Sequence, residues 1–157
     1  MVTKESRKQK NNASNDKANS DVENYDATSL VFGRLASFLA KRLLLGHKIN
    51  VYNAENAVIT GDPKSIVAEY SERYKYRAKG NPRKGPKYPK VPHLMLKLAV
   101  IKMLPKGSRG RELAKRIKVY IGNEASVDAK SVDVAKMKQG LKYIKLGDLC
   151  NRLGARW

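Results

Sequence analysis

A run of prolines and basic residues in the middle of the chain most limits how it can fold. Residues 80–92 read GNPRKGPKYPKVP, with four prolines, four basic residues and no acid. They lie within the 46 residues from Arg73 to Lys118, which hold 16 of the 33 lysines and arginines and one acid, Glu112. Such a segment repels itself and has no apolar pattern with which to pack against a core. We expect it to need a polyanion, and RNA is the commonest one in a cell.

The charge of the whole chain supports a polyanionic partner. The formal net charge is +19 over 157 residues, and residues 1–28 contribute five basic and five acidic side chains, so the excess follows Thr28. Solvated surfaces usually mix the two signs. A solvated linker is therefore the weaker explanation of the basic segment, although it stays an alternative.

The pattern outside this segment predicts one α/β domain. Residues 1–24 are polar and are expected to form a disordered extension. Residues 25–122 alternate strands and helices, with basic loops at 79–92 and 105–111, and residues 123–157 form a C-terminal extension with a short strand and a short helix. The alternation favours a mostly parallel sheet of about four strands with helices on both faces.

Local signals place the individual elements. A strand ending at Phe32 is followed by a break at Gly33 and a helix from Arg34 to Leu45; further strands are expected at 49–53, 57–60, 118–122 and 142–146. Asp62-Pro63 is a strong helix start, and that helix should run to about Tyr76. Tyr70 and Tyr74 should face inward on it, and Glu69 and Arg73 are spaced for an i,i+4 pair. Pro92 opens a helix that is apolar nearly all round and should be largely buried. Ser108 and Asp148 are candidate caps of two shorter helices.

The basic loops carry residue types suited to RNA. Arg83, Lys84, Lys87 and Lys90 supply charge, and Tyr88 offers a ring that can stack on an exposed base. Gly80 and Gly85 allow close approach of the backbone. Arg109 and Arg111 flank Gly110 in an arrangement suited to forked contacts with phosphate oxygens.

The strand-to-helix junction at Gly33-Arg34 is a second candidate. A helix N-terminus attracts phosphate, yet no G-x-G-x-x-G and no G-x-x-x-x-G-K-[ST] pattern occurs in the chain. A tight turn, an RNA contact by Arg34 and a free-nucleotide site stay open as explanations.

No catalytic or metal site is predicted. His47 and His93 have no carboxylate at ligand spacing, and the single cysteine, Cys150, is best explained as a buried small apolar residue. Because a single cysteine cannot form an internal disulfide, a reducing, cytosolic compartment is favoured. The main rival function is an RNA-modifying or nucleotide-using enzyme on an α/β fold. A second rival, a peripheral membrane protein, lacks an amphipathic helix with aromatic anchors.

Five motifs in order give the sequence a family resemblance. They are Gly33-Arg-Leu-Ala-Ser37, Val51-Tyr-Asn-Ala-Glu-Asn-Ala-Val-Ile-Thr-Gly61, Asn81-Pro-Arg-Lys-Gly-Pro86, Arg109-Gly-Arg111 and Val119-Tyr-Ile-Gly122. Together they resemble the large-subunit ribosomal protein L-thirteen family in its archaeal and eukaryotic branch. The resemblance covers about residues 25–122.

The resemblance implies a fold and a function. The fold would be a three-layer α/β/α domain around a four-stranded parallel sheet. The protein would be cytoplasmic, bind large-subunit ribosomal RNA beside neighbouring ribosomal proteins, and support subunit assembly and translation. It would be no enzyme, need no cofactor or metal, and form neither a membrane contact nor a homo-oligomer. The predicted RNA-binding residues are Arg34, Lys41, Arg77, Lys79, Asn81, Arg83, Lys84, Gly85, Lys87, Tyr88, Lys90, Lys106, Ser108, Arg109, Gly110, Arg111 and Arg116.

Overall fold

Strands and helices alternate through most of the chain, as the sequence pattern predicted. The computed structural model describes residues 22–76, 80–81, 83–122, 129–137 and 140–157. The strands are β1 (Val22–Asp26), β2 (Lys48–Tyr52), β3 (Val58–Thr60), β4 (Ile117–Val119) and β5 (Tyr143–Lys145). The helices are α1 (Phe32–Leu44), α2 (Pro63–Lys75), α3 (Pro92–Met103), α4 (Ser108–Lys115) and α5 (Leu146–Arg152), with short 3-10 turns at Ala54–Asn56 and Asp133–Ala135.

The central sheet has three parallel strands in the order β1-β2-β4. In the middle strand, Ile49 and Val51 are fully buried, and Ile117 of β4 pairs with Ile49 and is equally buried. Parallel sheets are covered on their faces, which is why the fully buried positions of β2 and β4 are β-branched and apolar. The predicted α/β fold with a mostly parallel sheet is therefore confirmed.

The prediction of a four-stranded sheet is wrong. The strand predicted at 57–60 is β3, and it pairs antiparallel with β5 in a separate two-stranded sheet. Val58 pairs with Lys145 on one side and bridges Val31 on the other, so both hydrogen-bonding edges of this short strand are occupied outside the central sheet. A strand of three residues is too short for its alternation of apolar and polar residues to specify which strand it pairs with.

Two boundaries at the N-terminal side also differ from prediction. Strand β1 begins at Val22, so residues 22–24 belong to the sheet rather than to the disordered extension, because Val22 to Asp26 pair residue by residue with β2. The rest of that extension lies outside the described residues. Helix α1 begins at Phe32, since the Leu35 amide already donates to the Val31 carbonyl (2.9 Å), and Gly33 is part of the first turn rather than a break.

Polar contacts join the ends of β1 and β2. The Asp26 carboxylate accepts hydrogen bonds from the Asn53 side chain (2.9 Å), the Thr28 amide (3.0 Å) and the Thr28 hydroxyl (2.7 Å). Burial raises the pKa of Asp26, but these hydrogen bonds outweigh it and hold the pKa below its usual value of 3.8. The side-chain contact fixes the turn in which Asn53 adopts a left-handed conformation.

The helices follow local signals to different degrees. Helix α2 begins as predicted, with the Asp62 side chain accepting from the Ser65 amide and Pro63 in the first turn. Helix α3 is less buried than predicted: Met95, Leu96 and Val100 are inside, whereas Leu94 is 43% and Met103 48% exposed, because only one face of the helix packs on the core.

The two candidate caps of the shorter helices are corrected. Gly107, with φ +126°, is the N-cap residue of α4. Ser108 is the first residue of the helix, and no side chain caps the helix N-terminus with a hydrogen bond. Helix α5 begins at Leu146, so Asp148 lies inside its first turn, where its charge still complements the helix dipole.

The C-terminal part completes the core. Ile144, Leu146, Leu149 and Cys150 are buried together with the sheet residues, and the Val31 amide donates to the Ala135 carbonyl at 2.7 Å. The predicted short strand and helix are present. They pack on the same core as residues 25–122.

Candidate nucleic-acid interface

The described residues from Gly80 to Val91, which we name the proline arm, begin with a turn built by Asn81. Its carbonyl oxygen accepts from the Lys84 amide (3.1 Å) and its side-chain oxygen from the Arg83 amide (3.2 Å). Asn81 therefore shapes the backbone that presents Arg83 and Lys84. Both of these side chains are exposed.

The second half of the proline arm docks on α2 and α3. The Tyr74 hydroxyl of α2 donates to the Pro89 carbonyl at 2.6 Å. The rings of Tyr74 and Tyr88 meet edge to face with centroids 6.2 Å apart, and the Lys102 Nζ of α3 lies 5.2 Å from the Tyr88 ring centroid. The arm thus wraps across the body and is held by aromatic contacts.

The cations of the proline arm are exposed and have no acid beside them in the described structure. Arg83, Lys84, Lys87 and Lys90 are all exposed, and Lys90 Nζ lies 5.4 Å from the Tyr74 ring centroid. The ion pairs within the described residues are Arg42–Glu23, His47–Glu23, Arg73–Glu69 and Lys136–Asp133, and none uses an arm residue. Their charge is left for an external anion.

The second predicted loop is largely helical. Only residues up to Gly107 form a loop, and Ser108 to Arg111 are the first turn of α4, with the Arg111 amide donating to the Gly107 carbonyl at 3.2 Å. Lys106, Arg109 and Arg111 are exposed. The helix N-terminus beneath them adds a favourable site for anions.

The structure gives Gly110 a packing role, and its RNA contact stays a prediction. Gly110 is buried, and a Cβ built on it would lie 1.9 Å from the Pro105 carbonyl oxygen. The glycine is needed because the Pro105 backbone crosses the first turn of α4 at this point. Its role is to let Arg109 and Arg111 be presented on either side.

Helix α1 and the start of β4 hold the other predicted residues. Arg34 and Lys41 are exposed along one face of α1 with Ser37 between them. Arg116 is half-buried, and its guanidinium donates to the Gly46 carbonyl at 2.8 Å, which ties the end of α1 to β4. The structure therefore gives Arg116 a structural contact, and its RNA contact stays a prediction. Arg77 and Lys79 lie outside the described residues.

Residues 105–111, the loop before α4 and its first turn, form what we name the α4 region. Three clefts join the proline arm and the α4 region into one surface. The aromatic cleft, of about 190 Å³, lies between α2, α3 and the arm and includes Tyr74, Tyr88 and Lys102. The basic cleft, of about 480 Å³, includes Tyr74, Lys90 and Arg152. The α3–α4 cleft, of about 410 Å³, includes Lys102, Lys106 and Arg111. Because Tyr74 and Lys102 each line two clefts, the three are contiguous.

Sequence reasoning missed several residues of this surface. Lys75 and Arg152 line the basic cleft, Lys102 lines two clefts, and Tyr70 and Arg73 line the aromatic cleft. The spacing of Tyr70 and Tyr74 indicated an inward-facing pair, but nothing local indicated an opening between them and α3. Arg152 is far away in sequence, and only the packing of α5 brings it to α2.

The described residues hold no arrangement suited to catalysis or metal binding. No group of three potential metal ligands occurs among them. Cys150 is buried, with its Sγ 3.5 Å from the Met95 Sδ, and burial raises the pKa of its thiol to about 12. Such a thiol is inert at neutral pH. No helix of the described ranges is long and apolar enough to cross a bilayer.

Comparison with known proteins identifies the family. The profile of the family described as "Ribosomal protein L13" matches residues 21–126. The large ribosomal subunit protein uL13 of Methanocaldococcus jannaschii is 43% identical over 136 residues, covering 84% of this chain and 97% of that protein. The corresponding protein of Methanopyrus kandleri is 42% identical, with 82% of this chain and 84% of that protein covered. That of Archaeoglobus fulgidus is 38% identical, with coverages of 83% and 86%. The chain therefore belongs to the ribosomal protein L13 family, as its five motifs predicted.

Proposed function

We propose that this chain is a structural protein of the large ribosomal subunit that binds the subunit's RNA and supports its assembly and translation. It acts in the cytoplasm beside neighbouring ribosomal proteins. The role is structural rather than catalytic, and it requires no cofactor. The family membership and the archaeal relatives, all named as large-subunit proteins, support this assignment.

One observation carries the RNA-binding part of the proposal. Seven cations of the proline arm and the α4 region are exposed, and none forms an ion pair with another described residue. They are Arg83, Lys84, Lys87, Lys90, Lys106, Arg109 and Arg111. A concentration of exposed cations without a described acid beside them suits the dense phosphates of a folded RNA.

The proposed mechanism is electrostatic binding on a rigid mount. The sheet and its helices hold the arm and the α4 turn in place before RNA arrives, so less ordering entropy opposes binding. Contacts to phosphate and ribose dominate, and the RNA is recognised mostly by shape. With six to ten phosphates contacted, affinity falls roughly 10³- to 10⁵-fold between about 50 and 200 mM salt.

The test removes four predicted contacts at once. Replacing Arg83, Lys84, Arg109 and Arg111 by alanine should weaken filter binding to the organism's large-subunit RNA and flatten its salt dependence. The circular dichroism spectrum should be unchanged, because these side chains are exposed.

A matched control variant separates location from total charge. Lys64, Lys142, Lys145 and Arg156 are exposed and lie outside both the proline arm and the start of α4. Their replacement by alanine removes the same charge and should weaken binding less. Equal losses in the two variants would show that the arm and the α4 turn are not the interface.

Finer features of the family expectation belong to the same proposal. We propose that the helices and strands form three layers, that residues 1–21 act as an arm on the subunit surface, and that the protein neither self-associates nor attaches to membranes. Sedimentation of a cell extract tests the last two of these, since the protein should follow the large subunit in near-equal stoichiometry.

A further inference from the structure

The C-terminal half of α2 lies between two clefts of different character. On one side the basic cleft contains Lys75, Lys90 and Arg152 together with the hydroxyl of Ser71, and the described residues that line it include no carboxylate. Three cations and a hydroxyl donor around a space of about 480 Å³ form a site for phosphate groups.

On the other side the aromatic cleft contains three tyrosines, each with a cation over its ring. Arg73 lies 5.0 Å from the Tyr70 ring centroid, Lys90 lies 5.4 Å from that of Tyr74, and Lys102 lies 5.2 Å from that of Tyr88. Phe32 and Met95 add apolar surface. A largely apolar cleft of about 190 Å³, lined by aromatic rings and by guanidinium and ammonium groups, suits a nucleobase.

Tyr74 belongs to both clefts, so a ligand that fills one adjoins the other. We infer that the two clefts together hold an unstacked nucleotide of single-stranded ribosomal RNA, with its base in the aromatic cleft and adjacent backbone phosphates in the basic cleft. This inference rests on the proposed function and specifies the kind of RNA element bound. It adds Lys75 and Arg152, from α2 and α5, to the interface.

Charge complementarity favours RNA over a protein segment as the occupant. An apolar peptide would cover the tyrosines but leave Lys75, Lys90 and Arg152 without anions. Among the described acids, only Glu69 pairs with a cation of either cleft, and it contacts Arg73. A nucleotide satisfies both clefts, because it combines a planar apolar surface with a phosphate.

The chemistry predicts a preference for unpaired RNA with little base selectivity. A base inside a duplex is stacked on both faces and cannot enter the aromatic cleft. Stacking on tyrosine depends on a π-face that every base presents. A blunt RNA duplex therefore reaches the cations but leaves the aromatic cleft empty.

Fluorescence anisotropy with a ten-nucleotide oligoadenylate tests the base site. Tyr88→Phe keeps the ring and should bind like the wild type, whereas Tyr88→Leu keeps apolar bulk but removes the ring. We expect Tyr88→Leu to lose about 5- to 150-fold in oligoadenylate affinity, the range for one base stack, and to bind a 20-base-pair RNA duplex unchanged. Tyr143→Leu is the control, since Tyr143 is 43% exposed and lines neither cleft.

The phosphate site is tested by Arg152→Gln. This variant should weaken oligoadenylate binding and reduce the slope of log affinity against log salt by about 0.7, the value for one single-strand phosphate contact. Arg156→Gln removes an equally exposed arginine four residues later that lines neither cleft, and it should leave the slope nearly unchanged.

Two results would overturn the inference. One is equal oligoadenylate affinity of the Tyr88→Leu and Tyr88→Phe variants. The other is ultraviolet crosslinking of intact large subunits in which peptides holding Tyr70 or Tyr88 carry a neighbouring protein and no nucleotide. If one of these results is obtained while the variant lacking Arg83, Lys84, Arg109 and Arg111 still binds ribosomal RNA more weakly than the wild type, only this inference fails. If the protein neither follows the subunit nor binds its RNA, the proposed function fails as well.

Discussion

Replacing Gly110 by alanine tests how the α4 turn is built. The new Cβ would lie 1.9 Å from the carbonyl oxygen and 3.0 Å from the carbonyl carbon of Pro105. Both are backbone atoms, so no side-chain rotation can relieve the overlap. Either the loop from Pro105 to Gly107 or the first turn of α4 has to move by about 1.5 Å to restore normal contact.

The expected cost follows from two opposing effects. Overpacking of this kind typically costs about 1–3 kcal/mol, and backbone involvement places this site at the upper end. Alanine is favoured over glycine in a helix by up to about 1 kcal/mol. We therefore expect Gly110→Ala to lower the free energy of unfolding by about 2 kcal/mol and the melting temperature by roughly 5–10 °C.

Gly33→Ala is the matched control for this substitution. Gly33 lies in the first turn of α1, and a Cβ there meets nothing within 4 Å. The same chemical change should raise the melting temperature slightly. Thermal unfolding by circular dichroism measures both variants, and filter binding should show weaker RNA affinity for Gly110→Ala because Arg109 and Arg111 are displaced. A Gly110→Ala variant as stable as Gly33→Ala would refute the packing explanation.

Three further predictions concern stability and reactivity. Asp62→Ala should lower the free energy of unfolding by about 1 kcal/mol in urea titrations, because the Ser65 amide loses its cap. Asp26→Asn should destabilise the protein by about 1 kcal/mol at neutral pH, because the amide oxygen can still accept these hydrogen bonds but carries no charge. Since the pKa of Asp26 is lowered in the fold, its contribution is present above pH 3.8 and is lost as the pH falls through the folded-state pKa, so the two proteins should converge in acid urea titrations. Cys150 should resist iodoacetamide at pH 8 in the native protein and react after unfolding, as judged by intact mass, because burial raises its pKa to about 12.

The arm illustrates how a rigid scaffold and a charged surface cooperate. Tyr74 and Tyr88 hold the second half of the proline arm on α2 and α3 without using any cation in an ion pair with a described acid. The docked arm therefore leaves the ammonium groups of Lys87 and Lys90 available to contact RNA phosphates. An arm fixed by acid pairs would have to break them before binding.

Prediction from sequence succeeded where the signal was local. The Asp62-Pro63 start of α2, the Glu69–Arg73 pair and the burial of Cys150 each depend on neighbours within a turn or on residue type alone. It failed for β3, because a strand of three residues is assigned to a sheet by its partners, and β5 is more than 80 residues later in the chain. Nor did the sequence indicate the packing constraint on Gly110, which comes from the Pro105 backbone crossing above it.

The amino-acid sequence alone determined the excess of positive charge, the alternation of strands and helices, and the family to which the chain belongs. These properties are carried by composition and by patterns between near neighbours. Only the tertiary structure decided which cations share a cleft. Lys75, Lys90 and Arg152 meet because α2, the proline arm and α5 pack together, and no periodicity in the sequence encodes a distance between residues so far apart in the chain.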